Sequence, residues 1–265
     1  MHRLLTAIVF IFIASIAFGQ TRSVFIEELT SYEIRDAMAA GKTSAIIFAG
    51  GLEQNGPHMA LAKHNVIARY AAGQIAERLG NALVYPIVPF SPAGDPIAQT
   101  GHMRFPGTVS LSSEVFLGVM RQAAQSAAAA GFKNIFLMGD HGQGQSELRV
   151  AAESVDADWR AKGTRVYYVS DVNTKAGQQI AAYLKEKNIV AGGHAAVAET
   201  SQVMFLDQNK SLIHADKFAV SAAGPETTTG VGGNPAPATA ELGRQFLEFK
   251  ITAAIDQIKA LMAQK

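Results

Sequence analysis

The run Asn134-Ile135-Phe136-Leu137-Met138-Gly139-Asp140-His141-Gly142-Gln143-Gly144 decides how this chain is read. An apolar stretch of strand length ends in a polar, glycine-rich turn, and Gln145 then opens a segment of helical period. Strand, turn and helix in that order form the repeating unit of a mainly parallel sheet covered by helices. The same alternation runs outward in both directions. Strands are expected at residues 44–49, 83–89, 134–138 and 165–170, with helices at 30–40, 65–79, 112–130, 145–161, 175–187 and 238–262. Ser112-Ser113-Glu114 and Gly131 supply start and stop signals for the third helix. Gly and Pro gather in long connections at 50–57, 91–107 and 223–237, and no linker is long enough to divide the chain.

The 265 residues are 48% hydrophobic and 17% charged, which suits one globular domain and excludes a disordered or fibrous chain. Lys plus Arg number 23 against 22 for Asp plus Glu, with no basic run, so the electrostatic footprint of a nucleic-acid binder is missing. The absence of cysteine excludes thiolate zinc sites, disulfide scaffolds and cysteine nucleophiles. Residues 1–19 read as an export signal: Met1-His2-Arg3, an apolar run over 4–18, and Ala17-Phe18-Gly19 before a cut that leaves Gln20 first. An apolar run of about 15 residues is short of the roughly 20 that span a bilayer. The expectation is a single domain over 20–265, periplasmic or secreted, with no membrane attachment after cleavage.

Polar side chains cluster just after strands. Glu53, Asn55, His58 and His64 follow the first, and Asp140, His141 and Gln143 the third, where open α/β sheets bind ligands. Glu53, His64 and His141 offer one carboxylate and two imidazoles, a set that holds zinc and leaves a fourth position for water. Manganese or iron also suit it. A histidine in a glycine-rich loop also serves simply as a solvated or capping residue, and spacing alone does not separate these readings. His194 and Glu199 lie where a turn enters a helix, placed to act as proton shuttle and orienting carboxylate, or as a helix start whose Glu meets the macrodipole. His102 and Arg104 are candidates for contacting an anionic substrate group, or solvated loop residues.

The run Gly51-Leu52-Glu53-Gln54-Asn55-Gly56-Pro57-His58-Met59-Ala60-Leu61 resembles the Glu-Gln-His-Gly-Pro-His-Leu-Pro-Leu signature of the creatininase (creatinine amidohydrolase) family. Further matches follow in family order: Phe105-Pro106-Gly107-Thr108-Val109-Ser110-Leu111, the turn from Gly139 to Gly144, His194-Ala195 with Glu199-Thr200-Ser201, and Gly230-Val231 with Asn234-Pro235 and Ala238-Thr239-Ala240-Glu241. The resemblance covers about residues 25–245. It implies a three-layer α/β/α sandwich that binds divalent metal and hydrolyses cyclic or linear C–N amide bonds, in homo-oligomers that are often hexamers. It also implies a two-metal ligand set in which three positions have changed here. Asn55 stands for the first His, His64 for the bridging Asp and Gln143 for the second Glu, while Glu53 and His141 are kept. A neutral imidazole cannot bridge two cations as a carboxylate does, so the expectation is one ion on Glu53, His64 and His141. Asn55, Gln143, His58 and His102 are then substrate or supporting groups, and His194 and Glu199 carry proton transfer. Members that hydrolyse creatinine pack a tryptophan on it, whereas the one tryptophan here, Trp159, falls in a helix well before His194. The substrate is expected to be another small cyclic amide, lactam, lactone or short peptide. Two other functions compete with this one. Ligand drift would leave an inactive small-molecule or metal-binding member, separable by the absence of turnover. Gly142-Gln143-Gly144 with Asp171 would suggest a dinucleotide site, yet the third glycine position is Glu147.

Overall fold

The computed structural model describes residues 23–264; the expected export signal lies outside the described residues. Four parallel strands form one sheet in the order β2-β1-β3-β4, with β1 Ser44–Ala49, β2 Ala82–Val84, β3 Asn134–Gly139 and β4 Arg165–Tyr168. β1 is buried at every position, as a central strand covered on both faces must be. Its alternation sorts the two cores. Ile46 and Phe48, with Phe136 and Met138 of β3, face α2 (Lys63–Leu79), α6 (Val197–Leu206) and α9 (Ala240–Ala263). Ala45, Ile47 and Ala49, with Ile135 and Leu137, face α1 (Ser31–Ala39), α3 (Ser113–Ala129) and α4 (Gln145–Trp159). The result is the three-layer α/β/α sandwich with a parallel sheet that the sequence implied. Helix α5 (Thr174–Glu186) packs beside α6 and α9 through Ile180, Leu184, Val197 and Phe246, and two one-turn helices, α7 (Phe218–Ser221) and α8 (Glu226–Thr229), interrupt the last long connection.

Helix boundaries follow local chemistry. Thr30 and Glu33 close a capping box on α1, Ser112 accepts from the Val115 N–H to start α3, and Thr239 accepts from Leu242 to start α9. The second strand is shorter than the expected 83–89. Pro86 and Pro89 have no N–H for the ladder, so after Val84 the edge is held by isolated bonds, Tyr85 N–H to Ile46 O (2.9 Å), Val88 N–H to Phe48 O (3.0 Å) and Gly50 N–H to Val88 O (2.9 Å). The second helix begins at Lys63, two residues earlier than expected, which matters for the site. No helix among the described residues is long and apolar enough to cross a membrane.

Helices α6 and α9 carry site residues and cross at Gly243, where a Cβ would collide with the Ser201 carbonyl oxygen on the facing helix. Gly243→Ala is expected to destabilise the protein by about 1–3 kcal/mol in urea unfolding, the usual cost of overpacking against backbone. An unchanged midpoint would show that the crossing has slack.

Candidate active site and metal centre

Glu53 sits in the loop after β1, almost wholly buried at 1% exposure. Gly50 and Gly51 let that loop pass tightly over the start of α2: a Cβ at Gly50 would strike the Asn65 side chain, and the Gly51 N–H donates to Asn65 Oδ1 (3.0 Å). Thr108, from the Phe-Pro-Gly-Thr motif, accepts from the Gln54 N–H and donates to His102 O, both 3.0 Å, so one hydroxyl ties the His102 turn to the Glu53 loop.

The two carboxylate oxygens of Glu53 face different groups. His64 Nε2 (2.8 Å) and Lys63 Nζ (3.1 Å) approach Oε1, while His141 Nε2 (2.5 Å) and His102 Nε2 (3.3 Å) approach Oε2. The far nitrogen of each ring has a partner of its own. The Gln143 N–H donates to His141 Nδ1 (3.1 Å), and the Gln54 amide NH2 approaches His102 Nδ1 at 3.0 Å while also donating to Gly230 O. His141 Nε2 is within hydrogen-bond reach of Glu53 Oε2, and His102 Nε2 stands in ion-pair range of the same oxygen. His64 lies between two acceptor-only groups, Glu53 and Asp140 Oδ2 (2.6 Å from Nδ1), and so holds protons on both nitrogens. His194 is the reverse. Its Nε2–H donates to Gln54 O (2.8 Å), which leaves the lone pair of Nδ1 facing Lys63 Nζ at 3.4 Å.

Lys63 is fully buried and reaches Glu199 Oε2 at 2.5 Å; that oxygen also accepts from the Ala195 N–H (2.6 Å), whose residue adopts a left-handed φ of 53°. Behind His64, Lys250 meets Asp140 Oδ1 at 2.6 Å and Asn173 Oδ1 at 3.3 Å. Burial alone would raise the carboxyl of Glu53, but the Lys63 charge and the His141 and His64 hydrogen bonds hold it well below the usual range. Burial likewise opposes ionisation of Glu199, yet Lys63 pulls it down to about 2. Burial and Lys63 together push His194 down to about 4. A cavity of about 390 Å³, large enough for a small ligand, borders the cluster on its Asp140, Lys250 and Glu199 side, lined also by Gly142, Gly193 and Gln202.

The expected ligands Glu53, His64 and His141 thus converge from separate loops. The group whose donor atoms all lie within 4.8 Å of one another is nevertheless Glu53, His102 and His141. His102, expected to touch substrate, stands beside His141 on Oε2, whereas both nitrogens of His64 are held by carboxylates. Asn55 does not face the cluster: its amide donates to the backbone oxygens of Glu53 and Ala60, both 2.9 Å, and shapes the loop. Gln143 and Arg104 are exposed, and the contact Gln143 makes with His141 comes from its backbone. His58 is buried apart from the cluster, between Ser221 (2.9 Å) and Thr200 (3.0 Å). Sequence reasoning gave no role to Lys63 or Lys250 and placed Asp140 in the polar turn after β3 without assigning it a partner. Lys63 did leave one signal: a cation in the first turn of a helix, where the macrodipole disfavours it.

The family model described as creatinine amidohydrolase matches residues 27–258. The chain belongs to the creatininase family. It is 31% identical over 121 residues to a creatinine amidohydrolase from Pseudomonas putida, an alignment spanning 46% of each protein and so under half of that relative. It is 26% identical over 227 residues to the mycofactocin precursor peptide peptidase of Mycolicibacterium smegmatis, covering 81% of this chain and 83% of that one. A solved mutant creatininase of zinc–zinc type superposes with a TM-score of 0.72 at 25% identity over 90% of this chain and 98% of its own. Creatininases are amidohydrolases, and this member has a Glu, His, His group able to hold a metal ion.

The buried imidazoles give stability a pH dependence. An ordinary histidine titrates near 6.5, and burial pushes His58, like His194, down to about 4. Between these values the unfolded chain binds protons that the folded chain refuses. Their contribution is therefore complete above pH 6.5 and is lost as pH falls towards 4. His64, whose affinity is raised by Asp140 and Glu53 against the opposing effects of burial and Lys63, works in the other direction. The urea midpoint is expected to fall on acidification through this window, and His58→Gln to reduce the slope by about one proton. The same slope in that variant would place the proton uptake elsewhere.

Proposed function

We propose that this protein is a metal-dependent hydrolase of C–N amide bonds in small cyclic amides, lactams or short peptides, with lactones as the ester counterpart, and that it works with one divalent ion per chain. The observation that carries the reading is the partition of Glu53. Its Oε2 faces two imidazoles that lie within ligand distance of one another, while a buried ammonium already occupies its Oε1. One carboxylate and two imidazoles suit zinc, and manganese or iron can serve; creatininase structures of zinc–zinc type and with manganese support that range. Glu53, His102 and His141 would hold the ion. When bound, it would polarise a substrate carbonyl and lower the pKa of a water towards about 7.

The chain's own residues account for the rest. Glu199 is ionised and lines the cavity, and the unprotonated Nδ1 of His194 lies behind it, 3.9 Å from Oε2, so the two form a proton-accepting pair of which Glu199 faces the cavity. Asp140 and Lys250 hold His64, and His64 holds Glu53 in place. No tryptophan lines the cavity among the described residues. Trp159 ends α4 and packs in the core on the opposite face of the sheet, which argues against the flat creatinine ring as substrate. Export to the periplasm or medium and assembly into a homo-oligomer belong to the same proposal, resting on residues 1–19 and on the family.

A panel of lactams, lactones and short peptides tests it. Turnover should vanish after treatment with a chelator and return with zinc or manganese. Glu199→Gln should lower kcat by about 10²–10⁴-fold with little change in KM, as loss of a transition-state proton transfer does. Turnover that survives chelation, or a substrate bound but never turned over by the wild type, contradicts the proposal; the second result identifies a binding protein.

A further inference from the structure

Lys63 sits in an unusual place for a lysine. It is the first residue of α2, at the positive end of the helix dipole, and its side chain is wholly excluded from solvent. Either circumstance disfavours a cation, and together they require strong compensation. The surroundings supply it: Nζ lies 3.1 Å from Glu53 Oε1, 2.5 Å from Glu199 Oε2 and 3.4 Å from His194 Nδ1. A salt bridge needs only the carboxylates. The third donor is an imidazole nitrogen whose lone pair is left free because the opposite N–H is committed to the Gln54 carbonyl.

The donors also lie close to one another. His194 Nδ1 is 3.5 Å from Glu53 Oε1 and 3.9 Å from Glu199 Oε2. Ligands sharing an ion at about 2.1 Å in tetrahedral geometry stand roughly 3.4 Å apart, so each carboxylate stands near ligand spacing from the imidazole, with the ammonium among the three. The charge balance points the same way. Glu53 and Glu199 both face the Lys63 ammonium and Asp140 faces that of Lys250, so each buried acid of the cluster already has a cation of the chain beside it.

We propose that Glu53, Glu199 and His194 form a second divalent-cation site and that the Lys63 ammonium, tethered by its own helix, fills it in place of an ion. The chain thereby supplies one cation of its centre as a side chain and fixes the capacity of the centre for metal. The proposal rests on reading this cluster as a cation centre, but it does not depend on which ion occupies the neighbouring Glu53, His102, His141 group or on whether one does.

The full-length protein and its Lys63→Ala variant are stripped with a chelator, saturated with manganese, freed of loose ions by gel filtration and assayed for manganese per chain. Lys63→Ala is expected to hold one more ion than the wild type. Lys63→Arg should match the wild type, and Glu199→Gln added to Lys63→Ala should remove the extra ion. Equal counts in the wild type and Lys63→Ala overturn the proposal. The wild-type count alone reports on the proposed function, and the increment alone reports on Lys63, so the two fail separately. Should Lys63→Ala fold only when manganese is present, that rescue supports the site. Should it fold under no condition, Lys63→Met, which keeps the length and loses the charge, gives the count, and an increment of zero rejects the proposal.

Discussion

A carboxylate taken out of water must be matched where it lies, and in this molecule that carboxylate is Glu53. Almost every feature around it serves that requirement. Four imidazoles and one ammonium converge on it from the loop after β3, from the start of α2, from the turn before the Phe-Pro-Gly-Thr motif and from the turn before α6. Glu53 accepts on both oxygens, and the two oxygens serve different partners. This asymmetry divides the centre into a side matched by the chain's own cations and a side whose imidazoles have the spacing of metal ligands.

The fold explains why such a cluster forms. Parallel strands deliver their following loops to one edge, and helices packed on both faces bring their ends to the same edge. Asp140 leaves β3 one residue before His141, so a single strand end supplies one ring beside Glu53 and the acid that holds His64 on its other side. α9 passes behind and contributes Lys250 from far along the chain. The tight approach of α6 to α9 at Gly243 sets where the helix bearing Glu199 lies relative to that lysine.

Much of this was legible in the sequence. The buried runs of β1 and β3 announced the sheet, the cap residues announced the helices, and Glu53 and His141 stood where strand ends place ligands. The placing of His64 beside Glu53 was expected from the residue types and the family resemblance. The division of labour among the histidines was not, because it depends on what holds the far nitrogen of each ring, and those partners, Asp140, Gln54 and the Gln143 N–H, come from three separate segments. Lys63 was hidden for a related reason. A lysine beside a histidine at a helix start reads as a solvated end until the helix carrying Glu199 closes over it. The edge strand was misjudged in length because its apolar composition persists past Val84, although its prolines cannot continue the ladder.

Anomalous scattering from crystals grown with manganese tests the central claim most directly. One peak per chain is expected, beside Glu53 Oε2 and between His102 and His141, with Lys63 still paired to Glu199. Two peaks per chain, or one peak held by His64 with His102 turned away, would contradict the partition of Glu53 described above.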